Sequence, residues 1–173
     1  MTRYFEYGDE AIAYLKSRDA KLARAIDAVG PVHREMEEGD LFSSVVHHIV
    51  GQQISTAAMH TVWARLRDLL GEVVPATIVA TSIEDLQACG MTFKKAEYIR
   101  NFAQSVQSGA FDLAAVEHMD DAEAIAALSS LQGIGTWTAE MLLLFHMGRP
   151  DVLSFGDLGI HRGMRMVYHH RKV

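Results

Sequence analysis

Two glycines separated by one isoleucine, in Leu131-Gln-Gly-Ile-Gly-Thr-Trp-Thr-Ala-Glu140, are the first residues whose spacing points to chemistry. A glycine inside a helix costs about 1 kcal/mol relative to alanine, so a pair this close marks a turn between two helices. Gly133 can leave the first helix with a positive φ, and Gly135 can let a foreign backbone approach closely. A helix starting at Thr136 would then point its unpaired amides outward, where they and the helix dipole attract an anion. The hydroxyls of Thr136 and Thr138 would add hydrogen bonds. Such a site holds a phosphate without any side-chain charge. The other reading of these residues is a tight turn joining two core helices. A carboxylate follows downstream: Asp157 stands after Gly156 and before a helical stretch, where its plainest role is an N-cap.

The remaining candidates are weaker. His47 and His48 are adjacent, so on a helix they point about 100° apart, which suits one metal ion poorly. His60 and His118 have no partner at clear ligand spacing. Cys89 is the only cysteine, which excludes a disulfide framework and a four-cysteine zinc or iron–sulfur site made by this chain alone. Lys94, Lys95 and Arg100 could touch phosphate, although a solvated helix face explains them as well.

The elements that must position these residues read as helices punctuated by glycine. Ser17 is expected to cap a helix running to Val29, ended by Gly30-Pro31, and Glu35–Asp40 to form an exposed acidic connection. Phe42–Val50 is apolar at helical spacing. Ser55 starts a helix ending at Gly71, with Ala58, Val62, Leu66 and Leu69 on its apolar side. A short turn opens at Pro75, Thr81–Glu84 reads as a capping box, and Gly90 is a stop. Helices follow from Thr92 to Ser108, from Asp120 or Asp121 to about Ser130, from Thr136 to Met147, and from about Leu158. No segment alternates strictly, so the fold class expected is all-α.

The chain of 173 residues is 49% hydrophobic and carries a net charge of −6, which fits a packed domain better than a protein that coats nucleic acid. Residues 149–173 reverse the balance, with five Lys or Arg against two Asp or Glu, and a local basic end can meet phosphate or simply be a solvated tail. The N-terminus lacks the pattern of a signal peptide, and no apolar run approaches 18 residues. The expectation is an intracellular protein with no membrane partner.

The stretch Leu128–Ala139 resembles the helix–hairpin–helix motif of DNA-binding proteins, in the version carried by the helix–hairpin–helix DNA glycosylase superfamily. That superfamily places an aspartate a little over twenty residues past the hairpin, after a loop with glycine and proline. Gly148-Arg-Pro-Asp-Val-Leu-Ser-Phe-Gly-Asp157 is similar to it. Ile49-Val-Gly-Gln-Gln-Ile-Ser55 and Gly90-Met-Thr-Phe-Lys-Lys-Ala-Glu-Tyr-Ile99 resemble segments of the 3-methyladenine glycosylase II branch. The four matches occur in order across roughly residues 41–165.

The resemblance implies a two-lobed helical glycosylase fold. Residues 41–148 would form a bundle ending in the hairpin, and residues 1–40 with 149–173 a second lobe, with further C-terminal helices of the family apparently missing. It implies a monofunctional glycosylase that hydrolyses the base–sugar bond of alkylated purines such as 3-methyladenine in double-stranded DNA, acting as a monomer. Asp157 would be catalytic. Gln53, or failing that Gln52, would fill the gap left by the flipped base. Trp137, Met141 and Leu158 would line the base pocket, where related enzymes carry more aromatics. Trp137 stands where strand-cutting glycosylases have a lysine, so no lyase activity is expected. No cofactor is required, although the carbonyls of Ser129, Leu131 and Ile134 could hold Na+ or K+ at the hairpin. The alternatives are a non-catalytic DNA-binding module and a glycosylase for another base, such as hypoxanthine or oxidised guanine.

Overall fold

Capping residues and apolar spacing divide the chain into eleven helices among the described residues, 3–170 of a computed structural model. Arg171 and Lys172, part of the basic C-terminal segment, lie outside the described residues. The helices are α1 (Asp9–Arg18), α2 (Ala20–Val29), α3 (Leu41–Gly51), α4 (Thr56–Leu70), α5 (Pro75–Ala80), α6 (Ile83–Ala88), α7 (Phe93–Gln107), α8 (Leu113–His118), α9 (Asp121–Ser129), α10 (Thr136–Phe145) and α11 (Leu158–Tyr168). The fold is all-α, and among the described residues a single isolated bridge pairs Tyr4 with Glu35.

Most boundaries follow local chemistry. Asp40, Ser55, Thr92, Asp120 and Asp157 each accept a backbone N–H in the first turn of the helix they precede. Several expectations need correction. Ser17 does not start a helix: it lies within α1 and donates to the Tyr14 carbonyl, whereas Asp19 caps α2. Two polar side chains compete for the cap there, and the ionised one reaches the N–H groups of Lys21 and Leu22. The capping pair at α6 is Ser82 with Asp85, one residue later than expected. Helix α8, capped by Asp112, is too short to show apolar periodicity and went unread. On α4, Val62 and Leu66 are buried but Ala58 and Leu69 face solvent, because only one stripe of the helix meets the core. The Glu35–Asp40 stretch is no free connection either: Met36 is buried, and the Glu37 N–H donates to the Phe145 carbonyl.

The hydrophobic core runs from Leu41 to Leu143. Val45, Val46, Ile49 and Val50 of α3, Leu66 of α4, Ile99 of α7, Leu128 of α9, and Leu142 and Leu143 of α10 are all fully enclosed. Helices α1, α2 and α11 bury no residue completely. They pair with one another, α1 on α2 and α2 on α11, where the Tyr168 hydroxyl donates to Asp19 Oδ2 at 2.6 Å.

Candidate active site and hairpin

The hairpin is built between α9 and α10. Gly133 has φ +87°, and a Cβ there would stand 2.4 Å from Tyr98 Cδ2, so glycine is required both by the turn and by packing. Gly135 differs. Its φ of −94° suits any residue, and a Cβ there would meet nothing within 4 Å. It precedes α10 without any side-chain cap, so the first amides of that helix have no partner from Gly135. Gly135 and Thr136 are exposed, as an anion-binding tip needs. Thr138 is not part of that tip: it is only 6% exposed and faces a hollow beside α3. Helical geometry turns it inward, two residues beyond Thr136.

The loop between α3 and α4 is fastened to this hairpin. Gln52 Nε2 donates to the Gly133 carbonyl at 2.6 Å. Lys95 Nζ donates to the carbonyls of Val50 and Gln52, closing the C-terminal end of α3, and burial pushes its pKa down. Lys95 is therefore a helix cap and not a solvated face. Gln53 is left exposed with φ +56°, a conformation a non-glycine side chain rarely adopts. The two glutamines have different work: Gln52 ties the loop down, and Gln53 projects from it.

Asp157 lies across from the hairpin. Its Oδ1 accepts the Ile160 N–H at 2.9 Å, which is the N-cap of α11. Its Oδ2 accepts the Trp137 indole N–H at 2.8 Å. The indole bond first, then the Ile160 amide, hold this carboxyl below the usual carboxylate range. The loop that carries Asp157 is held at two earlier points. Arg149 pairs with Asp121 at 2.7 Å and also donates to the Glu117 carbonyl, and buried Ser154 donates to Glu140. The His161 ring closes the turn by donating to the Phe155 carbonyl.

A cleft of about 400 Å³ opens beside Asp157, with Trp137, Met141, Leu144, Phe145 and Ile160 among its walls. This volume suits a small aromatic ligand. Trp137 is 47% exposed, so it is no core residue, and its ring is oriented by the bond to Asp157. Met141 is buried in the wall. Leu158 does not line the cleft: it is 61% exposed, and Ile160 takes the place expected of it. The first turn of α11 carries Leu158 outward because Asp157 must turn inward to cap it. At the hairpin base, the Leu131 carbonyl accepts the Ile134 N–H at 3.1 Å, and Ile134 itself is core.

The sequence does not mark one residue of the cleft, Glu37, and offers its partner His48 only as half of a poor metal pair. Glu37 and His48 line it together, with His48 Nε2 2.8 Å from Glu37 Oε1. Glu37 sits in an acidic run that reads as solvent-facing, and Met36 beside it was the only hint of burial.

Residues 46–173 match the family described as HhH-GPD superfamily base excision DNA repair protein. The structure is similar to that of a DNA-3-methyladenine glycosidase from Bacillus halodurans, with a TM-score of 0.86 and 34% identity over 96% of this chain and 77% of that one. It is also similar to a 3-methyladenine DNA glycosylase of Schizosaccharomyces pombe in complex with abasic DNA, with a TM-score of 0.78 and 28% identity over 92% of this chain and 81% of that one. Among curated sequences, DNA-3-methyladenine glycosylase 1 of Schizosaccharomyces pombe is 27% identical over 170 residues, 95% of this chain and 75% of the relative. With the hairpin, the oriented aspartate and a match spanning most of the sequence, the chain belongs to the HhH-GPD superfamily of base excision DNA repair proteins.

Proposed function

We propose that this protein is a monofunctional DNA glycosylase that hydrolyses the N-glycosidic bond of alkylated purines, of the 3-methyladenine kind. The observation that carries this reading is the Trp137–Asp157 hydrogen bond at the mouth of an apolar cleft beside the hairpin. Loss of a base builds positive charge on the sugar, and a fixed carboxylate stabilises that charge or orients the attacking water. Its two N–H donors further favour the ionised form of Asp157. An alkylated purine is already cationic and leaves without strong acid help. Its charge also favours the indole face of Trp137.

The target base must leave the duplex to reach the cleft, and Gln53 fills the vacated space. Its exposed, strained position beside the tethered Gln52 supports that role. The amides at Gly135 and Thr136 grip a backbone phosphate and hold the duplex against the cleft. The carbonyls of Ser129, Leu131 and Ile134 would hold Na+ or K+ at the hairpin and add positive charge toward that phosphate. An indole in place of a lysine at residue 137 leaves no amine there to form a Schiff base, which supports hydrolysis without strand cleavage.

Base release from alkylated duplex DNA by wild type and Asp157→Asn tests the reading. Asparagine caps a helix as well as aspartate does, so folding and binding to abasic DNA should persist. Release of 3-methyladenine by wild type, with a loss of about 100-fold or more in the variant, is expected from removal of one charge-stabilising group. DNA binding without release by either protein would favour a non-catalytic module. Release of only hypoxanthine or oxidised guanine would favour another lesion class.

A further inference from the structure

We propose that Glu37, held by His48, is a second carboxylate of the base cleft and makes the site select cationic over neutral bases. The inference deepens the reading of the site as an alkylpurine glycosylase and rests on it.

Glu37 reaches the cleft from the opposite side of the chain, in the segment between α2 and α3, while Asp157 arrives with α11. It also borders the adjoining hollow lined by Gln53, Thr138 and Trp137, so it stands between the wedge loop and the base cleft. Its backbone is fixed by the bond from its N–H to the Phe145 carbonyl. Its Oε1 is held by His48 at 2.8 Å, and His48 is itself on the rigid core helix α3. A residue this firmly placed at a cleft wall does not act as a solvated surface charge.

The charge is incompletely compensated. Among the described residues Glu37 Oε2 is buried and accepts no hydrogen bond. The nearby Ser44 hydroxyl is engaged with His146 Nδ1 at 2.8 Å. Burial disfavours the anion, but the His48 bond first, then the neighbouring imidazoles and the nearby Ser44 hydroxyl, outweigh it and keep Glu37 below the ordinary range. The guanidinium of Arg34, which also lines this cleft, lies 4.5 Å over the Phe145 ring. A carboxylate with one oxygen unsatisfied projects its field through a weakly polarisable wall, where charge acts far more strongly than in water. A cationic base in the cleft would be attracted, and a neutral base of the same shape would gain nothing. The indole face of Trp137 already favours a cationic ring, and Glu37 adds a full opposite charge to that preference.

The test is Glu37→Gln, which keeps the shape and the hydrogen bond to His48 and removes the charge. Release of 3-methyladenine and 7-methylguanine is compared with release of neutral hypoxanthine, and abasic-DNA binding reports folding. The expected result is a fall of about tenfold or more for the cationic bases with hypoxanthine changed less than about twofold, as one nearby buried charge predicts. An equal loss for both classes, or no loss, would overturn the proposal while leaving the alkylpurine reading intact. Wild type that releases only neutral bases would overturn both. If Glu37→Gln fails to bind abasic DNA, Glu37→Asp replaces it: a reduced ratio of cationic to neutral release supports selection by this charge, and an unchanged ratio overturns it.

Discussion

The helices from Leu41 to Phe145 and the group α1, α2 and α11 solve the problem of staying folded differently. The first region encloses all the residues of the core cluster. The second buries none completely and leaves Tyr14, Val29, Leu158 and Met166 exposed. The hairpin and the loop between α3 and α4 belong to the well-packed region, and Asp157 belongs to the thinly packed one. Its position therefore depends on specific polar ties: Trp137 to Asp157, Ser154 to Glu140, and Arg149 to Asp121. A hydrophobic core positions residues by volume, whereas these ties position one carboxylate by direction. Catalytic geometry in this protein should be more fragile than its fold.

The comparison breaks most sharply on core truncation. Leu142→Ala should cost about 2–5 kcal/mol of stability in denaturant unfolding, because a fully enclosed side chain leaves a cavity. Ile26→Ala on half-exposed α2 should cost about 1 kcal/mol or less by the same measurement. Equal costs would refute the contrast between the regions.

The two hairpin glycines sharpen it next. Gly133→Ala must drive a methyl into Tyr98 at a positive φ, with a cost of roughly 1–3 kcal/mol and weakened binding to duplex DNA. Gly135→Ala has open space and an ordinary φ, so its melting temperature should stay near wild type. Any loss of DNA affinity in that variant would then come from a methyl standing where the phosphate approaches.

Arg149→Ala probes the ties. The guanidinium pair is partly buried and Arg149 also donates to the Glu117 carbonyl, so unfolding should be easier by about 1–3 kcal/mol. The informative readout is functional: base release should fall while abasic-DNA binding holds, because the loop carrying Asp157 loosens and the hairpin does not.

The smallest effect concerns pH. The folded-state pKa of Asp157 is depressed below its ordinary value of 3.8, so the stability it contributes is present above that value and lost as pH falls through the lower one. Trp137→Phe removes the largest cause of the depression. Its acid limb in a pH–rate profile should therefore move upward, toward the ordinary carboxylate range. An unmoved limb would mean that the indole N–H does not set the ionisation of Asp157.

Much of this arrangement is legible in local chemistry. Asp120, Thr92 and Ser55 start helices because a short polar side chain can satisfy amides two or three residues ahead. Such signals act within one turn of chain and survive in a single sequence. Two misreadings are local as well: Asp19, not Ser17, caps α2, and α8 is too short for any periodicity to register. The others lie beyond the reach of such signals. The resemblance puts Leu158 in the pocket, but the cap that turns Asp157 inward turns Leu158 out. Glu37 reads as solvent-facing because nothing within a few residues says that it will meet His48 and Phe145.

By itself the sequence determined the helical fold, the hairpin with its required Gly133, and the aspartate that begins the last described helix, since caps, turns and apolar periods are near-neighbour effects. Only the tertiary structure decided that Trp137 would hold Asp157, that Gln52 would be tied while Gln53 stays free, and that Glu37 would share the cleft. Each of those facts joins residues 20 or more positions apart, or, for Glu37, elements from opposite ends of the chain. Their contact depends on how whole helices pack, which no local pattern encodes.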